Sequence, residues 1–238
     1  MNKFVKFLND ALFPESFTCD ICGIETFSGN LCDDCFKTVS FNNREACPVC
    51  GRITAFPEIC LECKARAPLV KKAVSPLVYE DGSTVLITKF KNGEGYLKEY
   101  FADLISQKLQ DFPAFDCIVY VPMTQKAEYR RGYNQAEILA KSISKRLGVP
   151  VIKNALVKKK DTPEQKLLSR EEREKNLKGC FKVEKATEIK DKDVLIVDDV
   201  LTTGATSEAV CALLLKAGAK NVYLATVASV EYKREKQD

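Results

Sequence analysis

Two adjacent carboxylates, Asp198 and Asp199, are followed by a loop of small residues, Thr202, Thr203, Gly204, Ala205 and Thr206. Neighbouring carboxylates can accept hydrogen bonds from a vicinal diol, directly or through a divalent cation. The first amides of a helix have no intrahelical partner and point outward, so a small-residue loop opening onto a helix can wrap an anion. Thr202, Thr203 and Thr206 add hydroxyl donors, and Gly204 lets the backbone approach closely or take positive φ. A diol held beside a phosphate monoester describes ribose 5-phosphate. The flanking pattern supplies the supports: Val194, Leu195, Ile196 and Val197 read as a buried strand that the two acids end, and Ser207 to Lys216 read as a helix. In an open α/β sheet ligands bind beyond the carboxyl ends of the strands, where this order places both acids.

The stretch Val194 to Thr206 resembles the ribose-phosphate motif of type I phosphoribosyltransferases, whose shared substrate is phosphoribosyl pyrophosphate. A strand ending in two acids also occurs as a Walker B segment or in a receiver-like sheet, but no GxxxxGK[ST] loop is present to hold a nucleoside triphosphate. The resemblance implies Mg²⁺ with the substrate and a pyrophosphate leaving group facing the turn after an earlier strand. Cys117 to Val121 is that strand, and cationic side chains must neutralise so charged a group. Lys126, Arg130 and Arg131 are the candidates; a basic surface face is the competing reading.

A second chemistry lies upstream. Cys19, Cys22, Cys32 and Cys35 repeat after 28 residues as Cys47, Cys50, Cys60 and Cys63, so the segment holds two Cys-x2-Cys-x9-Cys-x2-Cys units. Four thiolates make a closed tetrahedral structural Zn²⁺ site, and so short a segment needs one to hold its fold. A disulfide framework and an iron–sulfur cluster are the alternatives. Sequential pairing within each unit is the simplest topology, and a cross-braced one uses the same ligands. Cys117, Cys180 and Cys211 stand alone in apolar surroundings and read as small buried hydrophobes.

The whole chain has 238 residues and a net charge of +4, unevenly divided: residues 1–66 carry −2 and residues 67–238 carry +6. The latter part is the better polyanion binder. No apolar run reaches the roughly 18 residues of a membrane span, and no compact signal-peptide core opens the chain, so membrane insertion is not expected and a cytoplasmic protein is. With no His in the chain, Ser/His/Asp and Cys/His nucleophilic machinery is excluded.

Residues 2 to 13 read as an amphipathic helix, and Ala65 to Lys72 as a junction. Val74 to Tyr79 and Thr84 to Phe90 read as two strands around an Asp81-Gly82 turn. The following Lys89-Phe90-Lys91-Asn92-Gly93 fits a hood over the site and a solvated loop equally. Tyr96 to Leu109 and Ile138 to Leu147 are helical patterns, Val151 to Leu156 and Phe181 to Val183 strand-like ones, and Asn221 to Ser229 a further strand. Lys158 to Gly179 is charged, with the features of a lid and of a solvated segment alike. Alternating strands and helices argue an α/β fold with a largely parallel sheet.

The cysteine pairs, Lys89-Phe90-Lys91, Arg131-Gly132-Tyr133-Asn134-Gln135, and Gln165 with Arg173, Asn176 and Phe181 together resemble the ComF-type competence proteins over nearly the whole chain. The resemblance implies a type I phosphoribosyltransferase-like domain, a mostly parallel sheet with helices on both faces, over residues 67–238. It is preceded by an N-terminal helix and small Cys-rich double zinc-ribbon module over residues 1–66. It also implies a part in handling incoming single-stranded DNA in natural transformation, with DNA-uptake or recombination proteins as partners. Two readings of different class follow. One is an enzyme transferring a phosphoribosyl group to an acceptor, a step whose oxocarbenium-like transition state needs positioning and electrostatics, not a histidine base. The other is a non-catalytic single-stranded-DNA module, with Tyr129 and Tyr133 among arginines, that keeps the phosphoribosyl pyrophosphate pocket for structure or regulation.

Overall fold

The structure is a computed structural model that describes residues 17–26, 31–43, 45–160, 176–177 and 179–231. The helix expected over 2 to 13, Gln165, Arg173 and most of the charged segment before Gly179 lie outside the described residues. In chain order the elements are β1 (Phe17–Thr18), β2 (Glu25–Thr26), α1 (Asp33–Thr38), α2 (Leu61–Arg66), β3 (Lys72–Val74), β4 (Leu77–Val78), α3 (Asp81–Lys91) and α4 (Lys98–Lys108). There follow β5 (Cys117–Tyr120), α5 (Gln125–Arg131), α6 (Gln135–Leu147), β6 (Leu156–Lys158), β7 (Phe181–Val183), α7 (Ala186–Ile189), β8 (Asp193–Leu201), α8 (Ala205–Lys216) and β9 (Asn221–Ser229).

A parallel sheet is the frame. β3 and β4 lie end to end along β9, β9 pairs with β8, and β8 with β5. Side chains alternate across it, so each strand feeds two cores. Ile118, Tyr120, Leu195, Val197, Tyr223 and Ala225 pack with α3, α4 and α6 on one face. Cys117, Val119, Val194, Ile196, Val222 and Leu224 pack with α8, and with the β6 and β7 pair, on the other. The three isolated cysteines, Cys117, Cys180 and Cys211, are all at most 2% exposed and serve as small core residues.

Three expectations are corrected. Thr84 to Phe90 is not a strand but part of α3. Gly82, Ser83, Leu86, Ile87 and Phe90 are the buried positions, whereas a strand with Phe90 inward would have buried Thr88, which is exposed. The spacing of buried side chains outweighed the β-branched composition of Thr84-Val85-Leu86-Ile87-Thr88. Val151 to Leu156 is not one strand either: Val151 makes a single parallel bridge to Ile118, Asn154 turns the chain at φ 54°, and β6 then pairs antiparallel with β7 outside the main sheet. The acids do not end β8, because pairing runs on through Val200↔Ala228 and Leu201↔Ser229.

The Cys-rich segment is stitched to the β3–β4 edge. Phe41 bridges Leu77, Val78 N–H donates to Ser40 O at 2.8 Å, and Ala73 N–H donates to Val49 O at 2.7 Å. Asn42 Nδ2 donates to Gly51 O and Ser75 O at 2.8 and 2.9 Å. These bonds cover an edge that would otherwise expose unpaired strand groups.

Candidate functional site

Alternation along β8 sends the two acids to opposite sides at the carboxyl end of the sheet. Asp199 continues the Leu195, Val197 face and meets α3, where Lys91 Nζ lies 2.8 Å from its Oδ2. Asp198 continues the Val194, Ile196 face, and its Oδ1 accepts the Asp199 amide at 2.8 Å. Burial, and behind it the charge of Asp199, pushes Asp198 up to about 7 against the opposing pull of Lys91 and Lys158. The charge of Asp199 raises Lys91 despite the lysine's own desolvation, so that ammonium stays protonated.

After β8 the chain turns through Thr202 and Thr203 to Gly204, which takes φ 81° as the residue before α8. Ser207 Oγ donates to Gly204 O at 3.1 Å and Glu208 N–H donates to it at 2.9 Å, closing the first turn. The Ala205 amide at the start of α8 donates to Thr203 Oγ1 at 3.4 Å, so it points into the loop, as an anion cradle requires. Ala205 is 5% exposed and its methyl packs in the core, so only its backbone can face a ligand.

A cleft of about 770 Å³ joins these parts. Asp198, Asp199, Thr202 and Thr206 line it together with Lys126, Arg130 and Arg131, all exposed on α5. Thr203, Gly204 and Ala205 form the turn between Thr202 and Thr206 without lining the cleft. The turn expected after β5 is thus partly a helix, capped by Thr124 Oγ1 accepting from Ala127 N–H and ended at Gly132. Asn134 Nδ2 fastens it to Val121 O at 3.1 Å. Lys91 and Lys158 also line the cleft. Lys91 was visible as part of a basic run, but its pairing with Asp199 depends on α3 being a helix, which that run does not announce.

The eight paired cysteines form two quartets, Cys19/Cys22/Cys32/Cys35 and Cys47/Cys50/Cys60/Cys63, with each set of sulfurs within 4.8 Å of one another. The pairing is sequential, and all eight thiols are free. Cys22 and Cys32 sulfurs are 3.8 Å apart, as are those of Cys50 and Cys60. Zn–S bonds of about 2.3 Å give tetrahedral edges of about 3.8 Å, so each quartet can chelate one structural Zn²⁺. Burial and the charges of Cys47 and Cys60 push the Cys50 thiol up to about 12, over the opposing Arg52 backbone hydrogen bond. A cation relieves such crowding of thiolates.

The family model described as "Double zinc ribbon domain" matches residues 8–66, and that described as "Phosphoribosyl transferase domain" matches residues 130–238. Competence protein F of Haemophilus influenzae is 28% identical over 87% of this chain and 94% of its own length. The chain is thus similar to ComF-type competence proteins over most of its length. Another ComF-type relative, Competence protein ComFC of Bacillus subtilis, is 23% identical over 92% of this chain and 91% of its own. Glutamine phosphoribosylpyrophosphate amidotransferase from B. subtilis superposes with a TM-score of 0.40 at 19% identity, over 62% of this chain and 27% of the enzyme's. No helix among the described residues is long and apolar enough to cross a membrane.

Proposed function

We propose that this chain binds phosphoribosyl pyrophosphate with Mg²⁺ and serves in the handling of DNA during uptake. The observation that carries this reading is one cleft lined by two carboxylates, by Thr202 and Thr206 at the ends of the small-residue loop, and by the three α5 cations. In it Asp198 and Asp199 hold the ribose diol, Thr202 to Thr206 the 5-phosphate, and Lys126, Arg130 and Arg131 the pyrophosphate. Mg²⁺ binds through one or two carboxylates plus substrate phosphates, a donor set that these acids fit. The metal supplies charge neutralisation on the pyrophosphate. In the transfer such a site supports, the bond from the anomeric carbon to pyrophosphate oxygen breaks, the oxygen keeps the electron pair, and an acceptor nucleophile bonds to that carbon. The two quartets carry structural Zn²⁺, with residues 1–66 as the ribbon module and 67–238 as the phosphoribosyltransferase-like domain. The DNA role rests on relatives named Competence protein F and, in Salmonella typhi, DNA utilization protein YhgH, 29% identical over 81% of this chain and 87% of its own.

Binding is tested by titrating phosphoribosyl pyrophosphate with Mg²⁺ into wild type and into Asp198→Asn plus Asp199→Asn; equal affinity rejects the assignment. Pyrophosphate release in the presence of pooled nucleobases or cell extract separates turnover from binding. The non-catalytic DNA reading draws on one feature of α5, where Tyr129 is 93% exposed beside Arg130 and Arg131. Salt-sensitive binding of single-stranded DNA is its observable.

A further inference from the structure

Arg52 is two residues past Cys50, yet its guanidinium ends 150 positions away in sequence, on the carbonyl oxygen of Thr202. Its side chain is only 7% exposed, and its other terminal nitrogen lies 2.6 Å from Glu62 Oε2. Glu62 sits on α2 between Cys60 and Cys63, and the Arg52 carbonyl accepts from Cys47 N–H at 2.9 Å. Arg52 is therefore held from both halves of the second cysteine quartet, its backbone by Cys47 and its side chain by Glu62. Gly51, beside it, takes φ 69° and has its missing Cβ position 2.5 Å from Ala73 O, so this knuckle lies flat on β3. A second tie runs from Leu69 N–H to Glu208 Oε2 on the first turn of α8, at 3.3 Å.

We propose that Arg52 is a positioning residue for the phosphate loop, through which the second four-cysteine unit sets the affinity of Thr202 to Thr206 for a phosphate monoester. This rests on the phosphate reading of the loop given above. The Thr202–Thr203 peptide is trans and planar, so a carbonyl drawn toward Arg52 turns the Thr203 N–H the opposite way, away from the cysteine unit. A fixed cation on that carbonyl also polarises the peptide and strengthens its N–H as a donor. That one peptide of the loop is thus oriented before a ligand arrives, and ordering it costs less on binding.

The test uses the full chain as Arg52→Met, which keeps the stem and removes the charge, and Arg52→Lys, which keeps a charge without the fork. Amide hydrogen exchange of the ligand-free protein is read at Thr203 to Thr206, and affinities are measured separately for ribose 5-phosphate and for inorganic pyrophosphate. Arg52→Met is expected to speed exchange in the loop and to weaken ribose 5-phosphate by about tenfold, the worth of one charge-assisted hydrogen bond. Pyrophosphate affinity and the metal content of the protein stay as in wild type, which a general loss of structure would not allow. Arg52→Lys falls between the two, and carries the test should Arg52→Met not fold. Unchanged exchange at Thr203 to Thr206 with metal retained overturns the proposal. If wild type itself binds no ribose 5-phosphate while the variants do loosen the loop, the phosphate reading fails and the hold of Arg52 on the loop stands.

Discussion

Asp198 and Asp199 are covalent neighbours with different surroundings, and the difference has a pH signature. Asp199 is paired with Lys91 at 2.8 Å, whereas burial and the charge of Asp199 raise Asp198 to about 7. Because the folded value of Asp198 lies above its unfolded one, the native state holds the proton more tightly between about pH 4 and pH 7. Stability from this residue is therefore lost as pH rises through that window. Asp198→Asn should be more stable than wild type above about pH 7.5, by on the order of 2 kcal/mol after screening in the open cleft, and should lose that advantage near pH 4. Thermal unfolding at the two pH values checks the sign. Affinity for phosphoribosyl pyrophosphate should rise in wild type between about pH 6 and pH 8, as the carboxyl becomes a pure acceptor, and the rise should vanish in Asp198→Asn. The acids, the small-residue loop and the α5 cations were legible in the chain because each set is nearly contiguous. The pairings of Lys91 and Arg52 were not, since their partners, Asp199 and Thr202, come near only through the fold.

α3 shows what kind of element a single chain conceals. Its composition, rich in β-branched residues around Asp81-Gly82, suits a hairpin, and only the burial of Leu86, Ile87 and Phe90 on one helical face decides otherwise. That burial comes from the sheet face and α4, Phe90 meeting Phe101 edge-on with ring centroids 5.3 Å apart. β5, α6, α8 and β9 were legible because their periodicity and end signals agreed, as with Gly148 ending α6 in the left-handed region. The helical assignment matters to the site, because α3 delivers Lys91. Phe90→Ala should cost about 3–5 kcal/mol in chemical unfolding, as a fully buried ring leaves a cavity, and should also weaken phosphoribosyl pyrophosphate binding in the molecules that remain folded. Gly51→Ala tests the flat contact between the second knuckle and β3. A Cβ there meets backbone at 2.5 Å and the φ is 69°, so neither a rotamer change nor a small shift relieves it. We expect a loss above about 2 kcal/mol, with metal bound less tightly.

At the scale of the whole molecule, the repeat of cysteine spacing was legible, and with it the two quartets, because metal ligation is written locally in Cys-x-x-Cys pairs. What the repeat could not disclose is that the quartets are built into the sheet's edge. Asn42 joins Gly51 of the second unit to Ser75, Val49 receives the Ala73 amide, and Val39 and Phe41 pack with the core of one sheet face. Structural metal should therefore stabilise more than the segment that holds it. Metal analysis should return two Zn²⁺ per chain. Stripping it with a strong chelator should lower the thermal midpoint, by about 3 °C for each kcal/mol removed in a chain of this size. The loss should also have a direction: amide exchange should accelerate first along β3 and β4, which the Cys-rich segment covers, and last along β8 and β9 at the sheet centre. Phosphoribosyl pyrophosphate affinity should fall together with protection of the β3–β4 edge, because that edge seats the knuckle carrying Arg52. A protein that surrendered both metals while keeping the protection of β3 and β4 would show that the bonds across this edge hold without metal, and that the quartets stabilise only themselves.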